Sequence, residues 1–293
     1  MPELPEVETV KRGLELLVIH KVIRAVTHDN PKSFPNMVAE VNTFLIGATI
    51  TGIRRRAKVL LIDLSTEYTL VIHLKMTGQL VYRGEQVFGA GHPSDSLIGE
   101  LPDKSTRVTL AFDDESHLYF NDQRKFGWVK LYPTIEVPNI DFMKKVGPEP
   151  LERQFTADDF VVRMRRRNRT TVKAALLDQT VIAGVGNIYA DESVWAAKIH
   201  PSSRVAALSD AQLKTLLQEI RSVMELSIEK GGSTDRNYVS VEGKRGSYID
   251  FAKVFRREGL PCERCGTMIM KSRVAGRGTH TCPHCQIVQE EIV

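Results

Sequence analysis

Seven residues at the amino terminus, Pro2-Glu3-Leu4-Pro5-Glu6-Val7-Glu8, hold a combination that can do covalent chemistry. If Met1 is removed, Pro2 becomes a free secondary amine beside a carboxylate. An α-amino group has a pKa of roughly 7.7–8.0, so such an amine is a nucleophile near neutral pH. Attack on a sugar carbon at the aldehyde level would give a cationic iminium, an electron sink that drives elimination at the neighbouring carbon. By itself a proline after the start methionine is an ordinary feature. It gains meaning from four distant parts of the chain that point to the same chemistry.

The chain has four cysteines, and all of them fall in its last stretch. Cys262 and Cys265 form one C-x2-C knuckle, Cys282 and Cys285 a second, with 16 residues between them. That spacing is the signature of a four-cysteine zinc ribbon, in which each knuckle supplies half of a tetrahedron. A pair of disulfides is the alternative, but the chain reads as intracellular and has no other cysteine. One structural Zn2+ is therefore expected, in a closed site with no open position for water. His284 reads as a spacer inside the second knuckle. The hairpin between the knuckles carries Lys271, Arg273 and Arg277 and no acidic residue. Ribbons of this kind also serve as protein–protein modules, so the finger alone does not decide the partner.

Cations are also grouped elsewhere. Residues 163–173 hold six (Arg163, Arg165, Arg166, Arg167, Arg169 and Lys173) with no anion, and Arg54-Arg55-Arg56-Ala57-Lys58 forms a second group. Lys253, Arg256 and Arg257 approach the zinc element. One such run is usually a solvated face; several together with a cationic hairpin favour neutralisation of nucleic-acid phosphates. Lys58 opens the apolar strand Val59-Leu60-Leu61-Ile62, where it reads equally as a snorkelling strand-end lysine or as an acid–base group with a lowered pKa. Two further segments, His73-Leu74-Lys75-Met76-Thr77-Gly78 and Asn121-Asp122-Gln123-Arg124-Lys125-Phe126-Gly127, place Met76, Arg124 and Phe126 on turns. Side chains of this type at turns are commonly tucked under the loop. In a protein that extrudes a base from duplex DNA they are also suitable fillers of the gap left behind.

These residues need elements to position them. Helical spacing of Val7, Val10, Leu14 and Leu17 predicts a helix over 5–17, with Pro5 in the first turn and acidic residues at the positive end of the dipole. Between 47 and 132 the pattern changes to short apolar runs broken by turns, at Gly47–Ile53, Val59–Leu64, Thr69–Leu74, Arg107–Phe112, His117–Phe120 and Trp128–Tyr132. They predict a sandwich or flattened barrel. The stretch 84–104, rich in Gly, Pro, Ser and Asp, reads as a long surface loop. After Gly147-Pro148-Glu149-Pro150 the pattern is helical: 156–167 capped by Thr156, 171–177, 187–197 after a Gly-rich turn, and 209–229 ending at Gly231-Gly232. At 293 residues with 42% hydrophobic and 26% charged residues, the chain is globular and long enough for two domains. The net charge of +4 and pI of about 8.8 are only mildly basic. The amino terminus has acidic residues where a signal peptide needs basic and apolar ones, and no long apolar run follows, so a cytoplasmic, non-membrane protein is expected.

Taken in order along the chain, these motifs closely resemble bacterial formamidopyrimidine-DNA glycosylase, an 8-oxoguanine DNA glycosylase and abasic-site lyase. The resemblance rests on the Pro2–Thr9 run, Arg56-Ala57-Lys58, Leu74–Gly78 and Asp122–Gly127. Gly147–Leu151, Leu177-Asp178-Gln179, Gly184–Tyr189 and the finger with Gly276-Arg277-Gly278-Thr279 complete it. It implies an α+β multidomain fold: an N-terminal β-sandwich with flanking helices (2–135), a helix–two-turn–helix domain (136–232), and a lesion-capping loop with the zinc finger (233–293). It implies excision of 8-oxoguanine and ring-opened purines from double-stranded DNA, then β,δ-elimination, by a monomer. By motif match Pro2 is the Schiff-base nucleophile, Glu3 the acid/base at the sugar, Lys58 an aid to elimination, and Arg277 the arginine of δ-elimination. Met76, Arg124 and Phe126 match the fillers of the void, and Lys173 and Asn187 match phosphate ligands. Arg169 stands where the family usually has a DNA-binding lysine, and His73, leading into the Met76 turn, is grouped with the DNA contacts. The family's DNA-contacting histidine before residue 107 falls on Ser105 here, so that contact is either lost or taken over by Ser105 or by Arg107 nearby. Loop 84–104 is longer than usual in the family. Two other readings remain open: an endonuclease VIII-like enzyme for oxidised pyrimidines, which usually begins Pro-Glu-Gly-Pro, and a non-catalytic DNA-binding zinc protein.

Overall fold

A computed structural model of the chain describes residues 1–233 and 248–290. It divides into two compact units, one formed by residues 1–144 with 228–248, the other by 145–227 with 249–293.

The first unit begins with helix α1 (Leu4–Val18), whose apolar side Val7, Val10, Leu14 is fully buried. Nine antiparallel strands follow: β1 (Ile23–His28), β2 (Ile50–Arg56), β3 (Val59–Leu64), β4 (Tyr68–His73), β5 (Gly78–Arg83), β6 (Val87–Gly91), β7 (Thr106–Phe112), β8 (His117–Asp122) and β9 (Trp128–Pro133). They form a five-stranded sheet in the order β1-β7-β8-β5-β6 and a four-stranded sheet in the order β2-β3-β4-β9. Residues from both sheets and from α1 share one core, among them Val10, Leu14, Leu60, Ile62, Phe88 and Phe120. This is the expected sandwich. Short helices α2 (Val38–Glu40) and α3 (Asp141–Lys145) lie in the connections.

Three strands lie outside the expectation, each for a physical reason. β1 buries only Ile23 fully, so its sequence carries no alternation. β5 is buried on both faces because Leu97 and Leu101 cover its outer side through Val81 and Tyr119. β6 contains glycines and lies inside 84–104, so that stretch is not simply a surface loop. Its Gly91 has φ +123°, and a side chain there would meet the Gly78 carbonyl at 2.6 Å. The rest of 84–104 is also tied down, with Ser96 and Ser105 hydroxyls on Asp103 and Arg83 donating to the Leu97 and Gly99 carbonyls. β2 begins and ends three residues further on than expected, and this draws Arg54–Arg56 into a strand.

The second unit carries helices α4 (Ala157–Arg165), α5 (Val172–Leu177), α6 (Asn187–Ala196) and α7 (Asp210–Glu229), then hairpin β10 (Met270–Val274) and β11 (Arg277–Thr281). Thr156 and Thr171 cap α4 and α5 with their hydroxyls, accepting from Asp159 N and Ala174 N. Trp195 from α6 packs with Val254, Ile269 and the buried Cys262 and Cys282.

Candidate active site and nucleic-acid interface

Helix α1 brings the amino terminus to a defined place. Glu3 is its N-cap, in extended conformation, and its N–H donates to Glu6 Oε2 at 2.7 Å. The other oxygen of Glu6 accepts from Ser233 N at 2.7 Å, so one buried carboxylate joins the start of the chain to the residue after Gly232. The sequence reading assigns Glu6 only to the helix dipole; the Glu3…Glu6 capping-box spacing is the signal that could have found this second role. Pro2 and Glu3 are buried. With Met1 in place, the terminal amine stands one residue outside the position that Pro2's amine would take. Burial lowers the pKa of that amine; Glu3 and Glu6 oppose the shift, and Lys58 and Arg124 reinforce it. A lowered amine pKa enlarges the free-base fraction, which is the nucleophilic form. The structure thus places Glu3, Glu6, Lys58 and Arg124 close enough to the amino terminus for their charges to act on it.

Lys58 sits in the two-residue turn between β2 and β3, and it is buried. Ala57 before it has φ +52°. Left-handed backbone recurs directly before the other candidate side chains: Lys75 (φ +52°) precedes Met76, and Lys125 (φ +58°) precedes Phe126. Non-glycine residues in this region cost on the order of 1–3 kcal/mol and collect at functional sites.

Topology brings the two candidate wedge turns together. The Met76 turn leads from β4 to β5 and the Phe126 turn from β8 to β9. Because β4 pairs with β9 and β5 with β8, both turns cross between the sheets side by side. Asp122, completely buried, ties them: it accepts from Thr77 Oγ1, from Arg124 N at 3.2 Å and from Gly127 N at 2.7 Å. A Cβ on Gly127 would meet Phe120 at 2.6 Å and the His73 carbonyl at 2.9 Å, so only glycine fits beneath the turn. Met76 and Phe126 are exposed at 36% and 54%, and the Arg124 guanidinium lies 4.8 Å over the Phe126 ring. They are not tucked under their loops.

In the second unit Arg277 lies at the exposed tip of β10–β11, after Ala275 and Gly276, both with positive φ. Asn187, at the start of α6, donates to the Gly278 carbonyl at 3.0 Å, and its Oδ1 is buried without a partner. Arg169 is exposed. The other cations of 163–173 are largely occupied: Arg165 pairs with Asp210, Arg167 with Asp178, and Arg163 donates to the Thr180 carbonyl. Arg54 and Arg55 pair with Asp63 and Glu8. The sequence clusters therefore overstate the cationic surface, because acidic residues far along the chain answer them.

Three residues expected at the nucleic acid have partners within the protein. Arg107 is 3% exposed, pairs with Asp29 and donates to the Lys104 and Asp122 carbonyls; it braces the Asp122 turn. His73 is buried against Trp128 and Phe142 and accepts from Lys75 N. Burial pushes its pKa down to about 3, so it is neutral and no phosphate cation. Charge alone misleads at Lys173 as well. It has no exposure, and its ammonium contacts Asp191 (2.5 Å), Thr279 Oγ1 (2.8 Å) and the Gly278 carbonyl (3.1 Å). It holds the finger hairpin to α5 and α6.

Replacing Lys173 with Met is therefore expected to leave the buried Asp191 with His280 but without its cation. Breaking such a buried pair costs about 3–5 kcal/mol, read as a large drop in Tm. An unchanged Tm with a salt dependence of DNA binding shallower by about one phosphate would instead make Lys173 a direct phosphate ligand.

The four cysteine sulfurs lie within 4.8 Å of one another, with Cys265–Cys282 at 3.4 Å and Cys262–Cys285 at 4.0 Å. Four thiolates at a Zn–S distance of about 2.3 Å in a tetrahedron stand about 3.8 Å apart, so the set fits one structural Zn2+. Gln286 braces the second knuckle, accepting from Cys282 N and donating to the Ile199 carbonyl. The expected capping loop, 233–250, falls mainly on residues outside those described.

A β-sandwich with Pro2, Glu3 and Lys58 buried at its edge, joined in one chain to a helical unit and a four-cysteine finger, is the architecture of a DNA-processing enzyme. Family models agree along the chain: Formamidopyrimidine-DNA glycosylase N-terminal domain over residues 1–129, Formamidopyrimidine-DNA glycosylase H2TH domain over 146–238, and Zinc finger found in FPG and IleRS over 259–287. The formamidopyrimidine-DNA glycosylase of Pediococcus pentosaceus is 41% identical, covering 99% of this chain and 100% of its own length. That of Pelotomaculum thermopropionicum is 39% identical over the same shares. A Lactococcus lactis enzyme solved with Fapy-dG-containing DNA superposes with a TM-score of 0.86 at 35% identity, over 98% of this chain and 100% of that one. The chain belongs to the formamidopyrimidine-DNA glycosylase family.

Proposed function

We propose that this protein is a base-excision repair enzyme that removes oxidised purines from duplex DNA and then cuts the abasic strand by β- and δ-elimination. The placement of Glu3, Lys58 and Arg124 close to the amino terminus carries this reading. Family membership supports it, and so do the relatives solved with Fapy-dG, abasic-site and carbocyclic 8-oxo-G DNA. The Pro2 nitrogen attacks C1′ as the C1′–base bond breaks, and the base leaves with a proton relayed through Glu3; the amine then loses its proton and the C1′–O4′ bond opens, with O4′ protonated as the ring opens to the iminium. The resulting iminium acidifies the C2′ proton; its removal expels the 3′ phosphate, and a second elimination expels the 5′ phosphate. Water then releases the sugar fragment and restores the amine. Lys58 aids these proton transfers, while Arg277, Arg169 and Asn187 hold phosphates. Zinc supplies no chemistry; it keeps the finger folded so that Arg277 has a rigid base. The enzyme acts as a monomer in the bacterial cytoplasm, at the nucleoid.

Borohydride reduction on an 8-oxoguanine:cytosine duplex is expected to leave a stable adduct, and peptide mapping to find it on Pro2. An adduct on a lysine side chain, or none, would refute the assignment.

Met76, Phe126 and Arg124 fill the space left by the extruded nucleotide. A side chain stacked on a base is worth about 1–3 kcal/mol, so Phe126→Ala is expected to slow excision from duplex DNA by about 10- to 100-fold. Cleavage of a single-stranded abasic oligonucleotide, which needs no extrusion, is expected to change little. Equal losses on both substrates would remove the wedge role.

A further inference from the structure

Glu8 and Arg55 form a bridge that no step of the proposed reaction uses. Glu8 lies on α1, little more than a turn beyond the segment that carries Pro2 and Glu3. Arg55 lies on β2, three residues before Lys58. The Arg55 Nε donates to Glu8 Oε2 at 2.8 Å, and its Nη1 donates to the Ala57 carbonyl at 3.1 Å. Both side chains are largely shielded, at 14% and 11% exposure. Arg12 donates to the other carboxylate oxygen of Glu8 at 3.1 Å. Burial alone would raise the Glu8 pKa, but the hydrogen bonds and charge of Arg55, with Arg12 and Lys11, together outweigh it and the carboxyl is held below its ordinary value.

The geometry is that of a fork with one tine on each part. One tine grips the helix that carries the amine; the other grips the backbone of Ala57, whose left-handed φ of +52° aims the Lys58 turn. A guanidinium is planar and presents its donors at fixed angles, so gripping both ends sets a separation. Arg54, next along the strand, lacks this reach and points to Asp63 on the neighbouring strand.

We propose that the Glu8–Arg55 pair is a positioning clamp that sets Lys58 against the amino terminus, and so acts on the elimination steps through Lys58. This rests on the function proposed above. A charge-assisted contact that merely reinforces the sandwich would behave differently in a double-mutant cycle.

The test uses full-length wild type, Glu8→Gln, Lys58→Ala and the double variant, in single-turnover cleavage of an abasic duplex, with binding to a tetrahydrofuran-containing duplex measured alongside. Glu8→Gln is expected to slow strand cleavage about tenfold, with duplex affinity within about twofold of wild type. In the Lys58→Ala background it is expected to have no further effect, because the clamp then has nothing to position. Effects that multiply in the double variant would overturn the proposal. If Glu8→Gln fails to fold, Arg55→Lys carries the same cycle, since an ammonium lacks the fixed fork; independence from Lys58 would again overturn it. Wild-type protein is trapped with borohydride in the same series. Failure of that control sinks the proposed function, whereas normal trapping with multiplicative variants sinks only the clamp.

Discussion

Protein that keeps Met1 is expected to bind an abasic duplex as well as processed protein does, yet to leave no borohydride adduct on Pro2. The reason is electronic. With Met1 in place the Pro2 nitrogen is a tertiary amide, whose lone pair is delocalised into the carbonyl and cannot attack carbon. The amine that remains belongs to Met1, and it stands outside the buried Pro2–Glu3 step rather than within it. Loss of an activated nucleophile commonly costs several orders of magnitude, on the order of 10³-fold or more, so the effect should dominate every other variant. Two preparations checked by intact mass, one processed and one retaining Met1, provide the comparison. Equal cleavage rates would show that the terminal imino group is not the nucleophile. Pro2→Gly is the milder companion: it keeps an amine but loses the fixed ring, and it should trap and cleave less well than wild type.

Removal of zinc should produce the second large effect. Structural zinc contributes about 10–16 kcal/mol in zinc-finger peptides, more than the small finger could recover from its own apolar contacts. Its core is little more than Val254, Ile269 and the two buried cysteines packed on Trp195. Chelation, or Cys262→Ser, is expected to unfold the β10–β11 hairpin and release Arg277 from its place. Strand cleavage should then fall below about one hundredth of wild type, the upper end of the loss seen when the groups that support a metal site are removed. Trp195 is one of two tryptophans in the chain, so its fluorescence should change in step with zinc loss. Full cleavage by a zinc-free protein would mean that the finger is not needed to hold Arg277.

Much of this molecule can be read along the chain where the signal is local. Thr156 and Thr171 cap their helices because capping is decided within four residues. The cysteine knuckles declare a metal by spacing alone. The Asp122–Gly127 and Leu74–Gly78 turns are marked by their glycines, and the amino-terminal motif needs no partner to suggest an amine. Strands β1, β5 and β6 escape such a reading because their burial is set by other segments: the cover over β5 comes from Leu97 and Leu101, further along the chain.

Charge is where local reading fails most. Arg55, Arg107, Arg165, Arg167 and Lys173 look like a phosphate-binding surface in one dimension, but each meets a carboxylate distant in sequence. Composition counts charges; only folding says which are already engaged with one another.

Residue types and their spacing were enough to name the metal ligands and the family, and to mark the amino-terminal motif and the two turns, because each is a short-range pattern. The meeting of the Met76 turn with the Arg124–Phe126 turn, the Glu6 link to Ser233 and the Arg55 fork came from strand pairing and chain packing. Those contacts join residues tens to hundreds of positions apart, and no short-range pattern encodes a long-range distance.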